Sequence, residues 1–349
     1  MKQTAMPDMM WSMLLNLGSN MWSKEGEKKR YTQDTLPYHE TMHCDKKVWE
    51  EVTSFLPECG INTLVINIGE GVKLDSHPEI AVPGAWSKNE LKQELNRLRG
   101  MGITPIPKFN FSCAHNAWMK DYGFTVNTPE YHKFCKDIIE ETIELFDTPK
   151  FFHLGLNDEN GANQEYFPVT IVRSPKVMIE DANVLFDACL DKGVRPWIWM
   201  DPTVLESFGG KESFLANVPK SVLISNMYFG NIAPDYPSVP KKDQQAGLIH
   251  MTPAGVFRNP EKTLLYNFLD ENGYDQIPAG SSHISRPNML QTMTYCNETI
   301  KNKEKILGYI TVPSLLTDSA SIYGLKADAT LFKAGKEYVA GTGRILRFI

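Results

Sequence analysis

Short runs of apolar and β-branched residues alternate along this chain with longer segments whose apolar residues recur every three or four positions. The first pattern is typical of strands buried on both faces, and the second of helices that cover them. Eight such runs predict strands, which lie at Trp11–Leu17, Thr63–Ile68, Thr104–Phe109, Phe151–Leu156, Arg195–Met200, Val222–Met227, Gln276–Ala279 and Ile306–Val312.

Helical spacing is clear in the segments between these runs. Leu91, Leu95 and Leu98, for example, share one helix face. Further helices are predicted at Glu261–Glu271, Asn288–Ile300 and Ala320–Val339. Glycine stands where four of the helices must end before the next strand, at Gly60, Gly102, Gly193 and Gly273.

Eight strand-then-helix alternations predict an α/β fold, a (β/α)₈ TIM barrel that forms a single domain over residues 1–349. The alternative is a doubly wound sheet, which usually needs a glycine-rich phosphate loop after its first strand. Gly69-Glu70-Gly71 is only a fragment of such a loop. The proline-rich stretch 231–260 predicts a long loop that folds over the site as a lid.

Charge and composition exclude several classes of protein. The chain has 36 Lys and Arg against 42 Asp and Glu, for a net charge of −6, and no basic stripe, so we expect no nucleic-acid partner. No apolar run is long enough to span a bilayer. The first 18 residues lack a secretory pattern. The compartment is left open: we expect a periplasmic or secreted protein if a signal peptide has been trimmed, and a cytoplasmic one otherwise.

In TIM barrels the active site lies at the carboxyl ends of the strands. The fourth strand is followed by Asn157, Asp158 and Glu159, and adjacent carboxylates there are candidates for acid and base catalysis. We therefore predict these three as the catalytic residues, with either Asp158 or Glu159 as the acid. Polar and aromatic residues at the other strand ends are predicted to bind substrate: Trp22, Glu70, His77, Trp86, Lys108, Asn110, His115, His153, Trp199, Asp201, Tyr228 and His283.

The mixture of aromatic, amide and carboxylate side chains favours a carbohydrate, because sugar ring faces stack on indoles while hydroxyls need polar partners. Trp22, Trp86 and Trp199 are the candidate stacking platforms. We expect no cofactor and no bound metal, since the strand ends contain neither an HxH nor an HxxxH pair.

These segments resemble glycoside hydrolase family 20, the β-N-acetylhexosaminidases, and more closely uncharacterised Bacteroidetes relatives of that family. The family has a His-x-Gly-Gly-Asp-Glu segment after its fourth strand, and the segment from His153 to Asp158 is similar to it. The run from Ile106 and Pro107 to His115 resembles its third strand, and Trp199-Met200-Asp201 its fifth. The resemblance extends over about residues 60–205.

The resemblance implies a substrate-assisted retaining mechanism, in which the family's Glu protonates the leaving oxygen and its Asp positions the 2-acetamido group that acts as nucleophile. By position, Asn157 takes the Asp slot and Asp158 the Glu slot. A shift of one residue restores an Asp158–Glu159 dyad if the strand end contains a bulge. The sequence leaves both registers open.

Two other functions are compatible with these departures from the family motif. The first is a carbohydrate-binding barrel without catalysis, because Asn157 supplies no negative charge. The second is a metal-dependent sugar isomerase or lyase that uses the strand-end histidines.

Overall fold

The computed structural model describes residues 9–21, 38–161, 164, 169–229 and 260–341. Its main sheet has eight parallel strands: β1 (Met10–Asn16), β2 (Thr63–Asn67), β3 (Thr104–Lys108), β4 (Phe151–Gly155), β5 (Arg195–Met200), β6 (Leu223–Asn226), β7 (Ala279–Gly280) and β8 (Gly308–Thr311). Every strand predicted from the sequence is present.

The strands are hydrogen-bonded in the order β6-β5-β4-β3-β2-β1-β8-β7. Single parallel bridges, Ile224 to Gln276 and Met227 to Ala279, then join β6 to the β7 segment. These bridges close the ring, so the fold is a (β/α)₈ TIM barrel and the doubly wound alternative is wrong.

The helices that cover the barrel are α1 (Lys46–Phe55), α2 (Lys88–Gly100), α3 (Pro129–Leu145), α4 (Pro175–Leu190), α5 (Pro202–Ser207), α6 (Lys211–Asn217), α7 (Pro260–Glu271), α8 (Asn288–Thr299) and α9 (Ile322–Val339). Side chains cap several of them, as when Ser87 and Glu90 form a reciprocal capping box on α2. The four glycines predicted to end helices all have positive φ, between 68° and 78°. The sequence did not predict α5 and α6.

Two apolar clusters form the core. One fills the barrel interior and includes Leu14, Val65, Ile106 and Phe151. The other lies between the sheet and the helices. Because alternate residues of a strand point to opposite faces, positions two residues beyond the interior cluster also face into the barrel.

A short parallel pair, Val72–Lys73 with Trp86–Ser87, lies in the connection from β2 to α2. Trp22 and residues 231–259, the body of the predicted lid, lie outside the described residues.

Candidate active site

The backbone at the end of β4 departs from regular strand geometry. The pairing with β5 shifts register between His153 and Gly155. Gly155, Leu156 and Asp158 then all have positive φ, of 74°, 65° and 61°. Non-glycine residues adopt this region rarely, so two such residues within three positions mark a tightly constrained loop.

Asn110 of the β3–α3 loop holds this backbone in place. Its Oδ1 accepts hydrogen bonds from the backbone N–H groups of Leu156 (3.1 Å) and Ser112 (3.2 Å). Its Nδ2 donates to Asn157 Oδ1 at 2.8 Å. A Cβ atom on residue 155 would lie 2.2 Å from Asn110 Oδ1, so glycine is required there for close approach as well as for positive φ.

Of the three predicted catalytic residues that follow β4, Asp158 has the carboxylate that reaches solvent, and its side chain is 37 % exposed. Its Oδ2 accepts a hydrogen bond from Asn157 Nδ2 at 2.6 Å and lies 3.0 Å from His115 Nε2. His115 is itself buried and lies 3.4 Å from Asn157 Nδ2. Asn110, His115, Asn157 and Asp158 therefore form one hydrogen-bonded cluster at the ends of β3 and β4.

Glu159 has a different environment, because its side chain is only 2 % exposed and is paired with Arg173. Arg173 Nε lies 2.7 Å from Oε1 and Nη2 lies 2.5 Å from Oε2. Burial acts to raise the pKa of Glu159, but the Arg173 guanidinium and the backbone N–H groups of Cys113 and Arg173 outweigh it and lower the pKa. Glu159 is thus an ionised anchor for the loop.

The Arg173–Glu159 ion pair is connected to α4 and α3 through Asp181. Arg173 Nη1 contacts Asp181 Oδ2 of α4 at 3.0 Å, and Asp181 Oδ1 lies 2.7 Å from His132 Nε2 of α3. Arg173 and Asp181 were not among the residues singled out from the sequence. The available signal was Asp181 itself, an aspartate beside Met178 and Ala182 on the buried face of an amphipathic helix.

A second polar group lies inside the barrel mouth. Lys108 Nζ donates to Asn67 Oδ1 at 3.0 Å, Asn67 Nδ2 donates to Asn16 Oδ1 at 2.9 Å, and Asn16 Nδ2 donates to the carbonyl of Leu315 at 2.9 Å. Burial lowers the pKa of Lys108 to about 7. Sequence reasoning missed Asn16 and Asn67, although both end strands at interior-facing positions.

His153 and Trp199 lie beside this polar group. The His153 ring centroid is 4.1 Å from that of Trp199 and 4.9 Å from that of Trp197. Both indoles belong to the interior cluster. Trp86, in contrast, packs between the sheet and the helices, with its ring 5.6 Å from Trp49 of α1.

Glu70 and His77 have hydrogen bonds within the fold. The Glu70 carboxylate accepts the backbone N–H groups of Ser19 (2.7 Å) and Asn20 (3.1 Å), while burial raises its pKa. His77 lies between Glu79 (2.9 Å) and Asp137 of α3 (3.1 Å). These contacts fix the loops after β1 and β2.

The last three predicted residues lie at the ends of β5, β6 and β7. Asp201 caps α5 by accepting the N–H of Val204 at 2.9 Å. Tyr228 is buried, and its carbonyl accepts Asn288 Nδ2 at 2.8 Å. His283 is exposed, and its backbone N–H donates to Asp328 Oδ1 at 2.8 Å.

Within the described ranges, no three or more His, Cys, Asp or Glu side chains are arranged to hold a metal ion. In the same part of the chain, no helix has the length and apolar character needed to cross a membrane.

No protein-family model and no curated protein sequence matches this chain. Solved structures do match. The barrel fold is similar to that of the family 20 glycoside hydrolases. The exo-β-N-acetylglucosaminidase from Vibrio harveyi, solved with N-acetylglucosamine, aligns with a TM-score of 0.56 and 12 % identity over 96 % of this chain and 59 % of its own.

Two further solved structures align with this chain at a similar TM-score and identity. The β-N-acetylhexosaminidase from Bacteroides fragilis NCTC 9343 aligns with a TM-score of 0.54 and 12 % identity over 92 % of this chain and 64 % of its own. The β-N-acetylhexosaminidase from Streptomyces coelicolor A3(2) has the same TM-score and identity, over 96 % and 70 %. The present chain thus spans about three fifths of the Vibrio and Bacteroides enzymes. At this identity the likeness establishes the fold.

Proposed function

We propose that this protein is a glycoside hydrolase that acts on N-acetylhexosamine-containing glycans by a substrate-assisted retaining mechanism. The observation that carries the proposal is the Asp158–His115 pair, in which a solvent-reaching carboxylate follows β4 of a barrel similar to that of family 20 enzymes. The described neighbours with this fold are named as β-N-acetylhexosaminidases and β-N-acetylglucosaminidases.

Asp158 is the general acid in this proposal, and it protonates the leaving oxygen. In the first of the two registers it takes the position of the family's Glu, and its partial exposure would give it access to a bound sugar. Glu159 is less suited to the role, because a general acid must carry a proton and the Arg173 ion pair keeps Glu159 ionised. His115 orients Asp158 and accepts or returns its proton through Nε2.

Asn157 orients the acetamido group, but with neutral hydrogen-bonding groups. Its Oδ1 already accepts from Asn110, and its Nδ2 donates to Asp158. The positive charge that develops on the acetamido group in the intermediate therefore receives less stabilisation than an aspartate would give. We expect slower turnover than an Asp-Glu pair supports, because Asp158 is also one methylene shorter than glutamate.

The second candidate function is carbohydrate binding without catalysis. The specific observation in its favour is that Asn157 Oδ1 accepts from Asn110 Nδ2 and Asn157 Nδ2 donates to Asp158 Oδ2, so the amide already stabilises the fold. A barrel with a neutral amide in place of the family's aspartate can still bind a sugar.

Aryl β-glycosides with and without the 2-acetamido group test the proposal. We expect hydrolysis of aryl N-acetyl-β-glucosaminide or N-acetyl-β-galactosaminide, and none of the matched aryl β-glucoside, since the acetamido oxygen is the nucleophile. Equal hydrolysis of both kinds would contradict substrate assistance. Calorimetric binding of N-acetylated sugars with no product release would favour the binding function instead.

A further inference from the structure

Lys108 and His153 are direct partners where β3 and β4 pair. Each lies two residues beyond a member of the interior cluster, Ile106 and Phe151 respectively, so both side chains point into the barrel. Both are buried. Lys108 lies two residues before Asn110, which places it about 7 Å deeper in the barrel than the Asp158 cluster.

The bonding of His153 fixes which ring nitrogen carries the proton. Nδ1 accepts the backbone N–H of Gly155 at 3.0 Å, so a neutral ring carries its hydrogen on Nε2. Burial and the nearby Lys108 lower the pKa of His153 well below its ordinary value, which keeps the ring neutral. Nε2 is buried and has no hydrogen-bond partner among the described residues. It is a donor without an acceptor.

Lys108 presents further unused donors. Within the described part of the chain, Nζ donates to Asn67 Oδ1 alone, and no carboxylate lies within ion-pair distance. The amide chain fixes this arrangement, because Asn67 Nδ2 is already committed to Asn16 Oδ1 and the Gly18 carbonyl. An ammonium has three N–H groups, so two are left for a ligand.

We propose that Lys108 and His153 form a subsite for an oxyanion carried by the bound sugar, either the carboxylate of a uronic acid or a sulfate ester. Among the described residues, His153 Nε2 has no acceptor and Lys108 Nζ has one, Asn67 Oδ1, so the remaining N–H groups match a ligand group that only accepts hydrogen bonds. Trp199 lies against His153 and offers an apolar ring face beside them. This inference rests on the proposed function in that it places the sugar in the same barrel mouth.

The charge balance of the site supports an anionic occupant. Without one, no carboxylate of the described residues balances the buried ammonium, and burial lowers the pKa of Lys108 to about 7. A bound oxyanion stabilises the charged form, so at pH 8 binding requires that Lys108 take up a proton. Calorimetry in two buffers of different ionisation enthalpy measures that uptake on the unmodified protein.

Calorimetry with two matched pairs of sugars tests the subsite: glucuronic acid against glucose, and N-acetylglucosamine 6-sulfate against N-acetylglucosamine. We expect one acidic sugar to bind at least about tenfold more tightly than its neutral counterpart, as a charge-assisted hydrogen bond gives. The pair that shows the preference identifies the oxyanion. Lys108→Met should abolish it, and Lys47→Met, the same change on the exposed side of α1, should preserve it.

Equal binding within both pairs, a preference that survives Lys108→Met, or binding at pH 8 without proton uptake would overturn the subsite. Lys108→Met removes an unpaired buried charge, so we expect it to fold. Failure of the proposed function has a separate signature, which is the absence of aryl N-acetylhexosaminide turnover by the unmodified protein. Acidic-sugar binding that depends on Lys108 can stand without that turnover.

Discussion

Arg173 contacts both carboxylate oxygens of Glu159, at 2.7 and 2.5 Å, and neither side chain is appreciably exposed. This pairing separates the roles of two adjacent carboxylates. Glu159 is held in the protein by a cation, while Asp158, one residue earlier, reaches solvent beside His115. The positive φ of Asp158 turns the backbone so that the two side chains take different directions.

Glu159→Gln is expected to destabilise the fold by about 3–5 kcal/mol, because it leaves the buried Arg173 without its full counter-charge. Glu180→Gln is the matched control. It makes the same substitution in the exposed Lys176–Glu180 pair of α4, and we expect it to stay within about 0.5 kcal/mol. Urea denaturation measures both. A Glu159→Gln protein that is as stable as wild type but inactive would instead identify Glu159 as the acid.

Gly155→Ala tests the contact between β4 and Asn110. The new Cβ would lie 2.2 Å from Asn110 Oδ1. Gly193→Ala is the control, since Gly193 has nearly the same φ, 73° against 74°, and no atom within 4 Å of its added Cβ. Both variants carry the cost of a left-handed alanine, about 1–2 kcal/mol.

We expect Gly155→Ala to lose about 1–3 kcal/mol more than the control and to reduce glycosidase activity ~10²-fold, because Asn110 can no longer hold Asn157 in place. Thermal unfolding and kcat measurements check this. Similar losses in the two variants would show that the close approach of Asn110 does not constrain the loop.

Lys108 makes stability depend on pH. In the unfolded chain a lysine titrates near about 10.4, whereas the folded protein holds the pKa of Lys108 at about 7. Between these values the unfolded chain binds more protons, so the free energy of unfolding rises as the pH increases. From pH 7 to pH 9.5 we expect wild type to gain a few kcal/mol relative to Lys108→Met.

Urea denaturation at the two pH values measures this difference, with Lys47→Met expected to follow wild type. The comparison isolates Lys108 because buried thiols such as those of Cys135 and Cys189, whose pKa values burial raises, are present in every variant. If the free energy of unfolding depended on pH in the same way in wild type and Lys108→Met, the lowered pKa of Lys108 would be contradicted.

Periodicity alone predicted the barrel, because parallel strands and their covering helices must bury apolar residues at fixed spacing. Strand ends moved by only a few residues, as when the predicted Phe151–Leu156 becomes Phe151–Gly155. The missed helices α5 and α6 have six and seven residues, too few for a helical period to be recognised.

The sequence predicted only one feature of the candidate site, which is that residues at the carboxyl ends of parallel strands lie close together in a barrel. That rule gave Asn110, His115 and Asp158, which form one cluster in the structure. The direction of Glu159 was not predictable, since it depends on local positive φ and on Arg173, fourteen residues later. The packing of Trp86 was not predictable either, because it depends on Trp49, which belongs to α1 and lies far from Trp86 in the sequence.

The role of Asp158 as general acid is tested most directly by leaving-group dependence. Phenyl N-acetyl-β-glucosaminide needs a proton on its leaving oxygen, whereas the 2,4-dinitrophenyl analogue departs without one. We predict that Asp158→Asn lowers kcat/KM on the phenyl substrate by about 10²–10⁴-fold, and that the loss on the dinitrophenyl substrate is far smaller. Equal losses on both substrates would contradict the assignment of Asp158 as the acid.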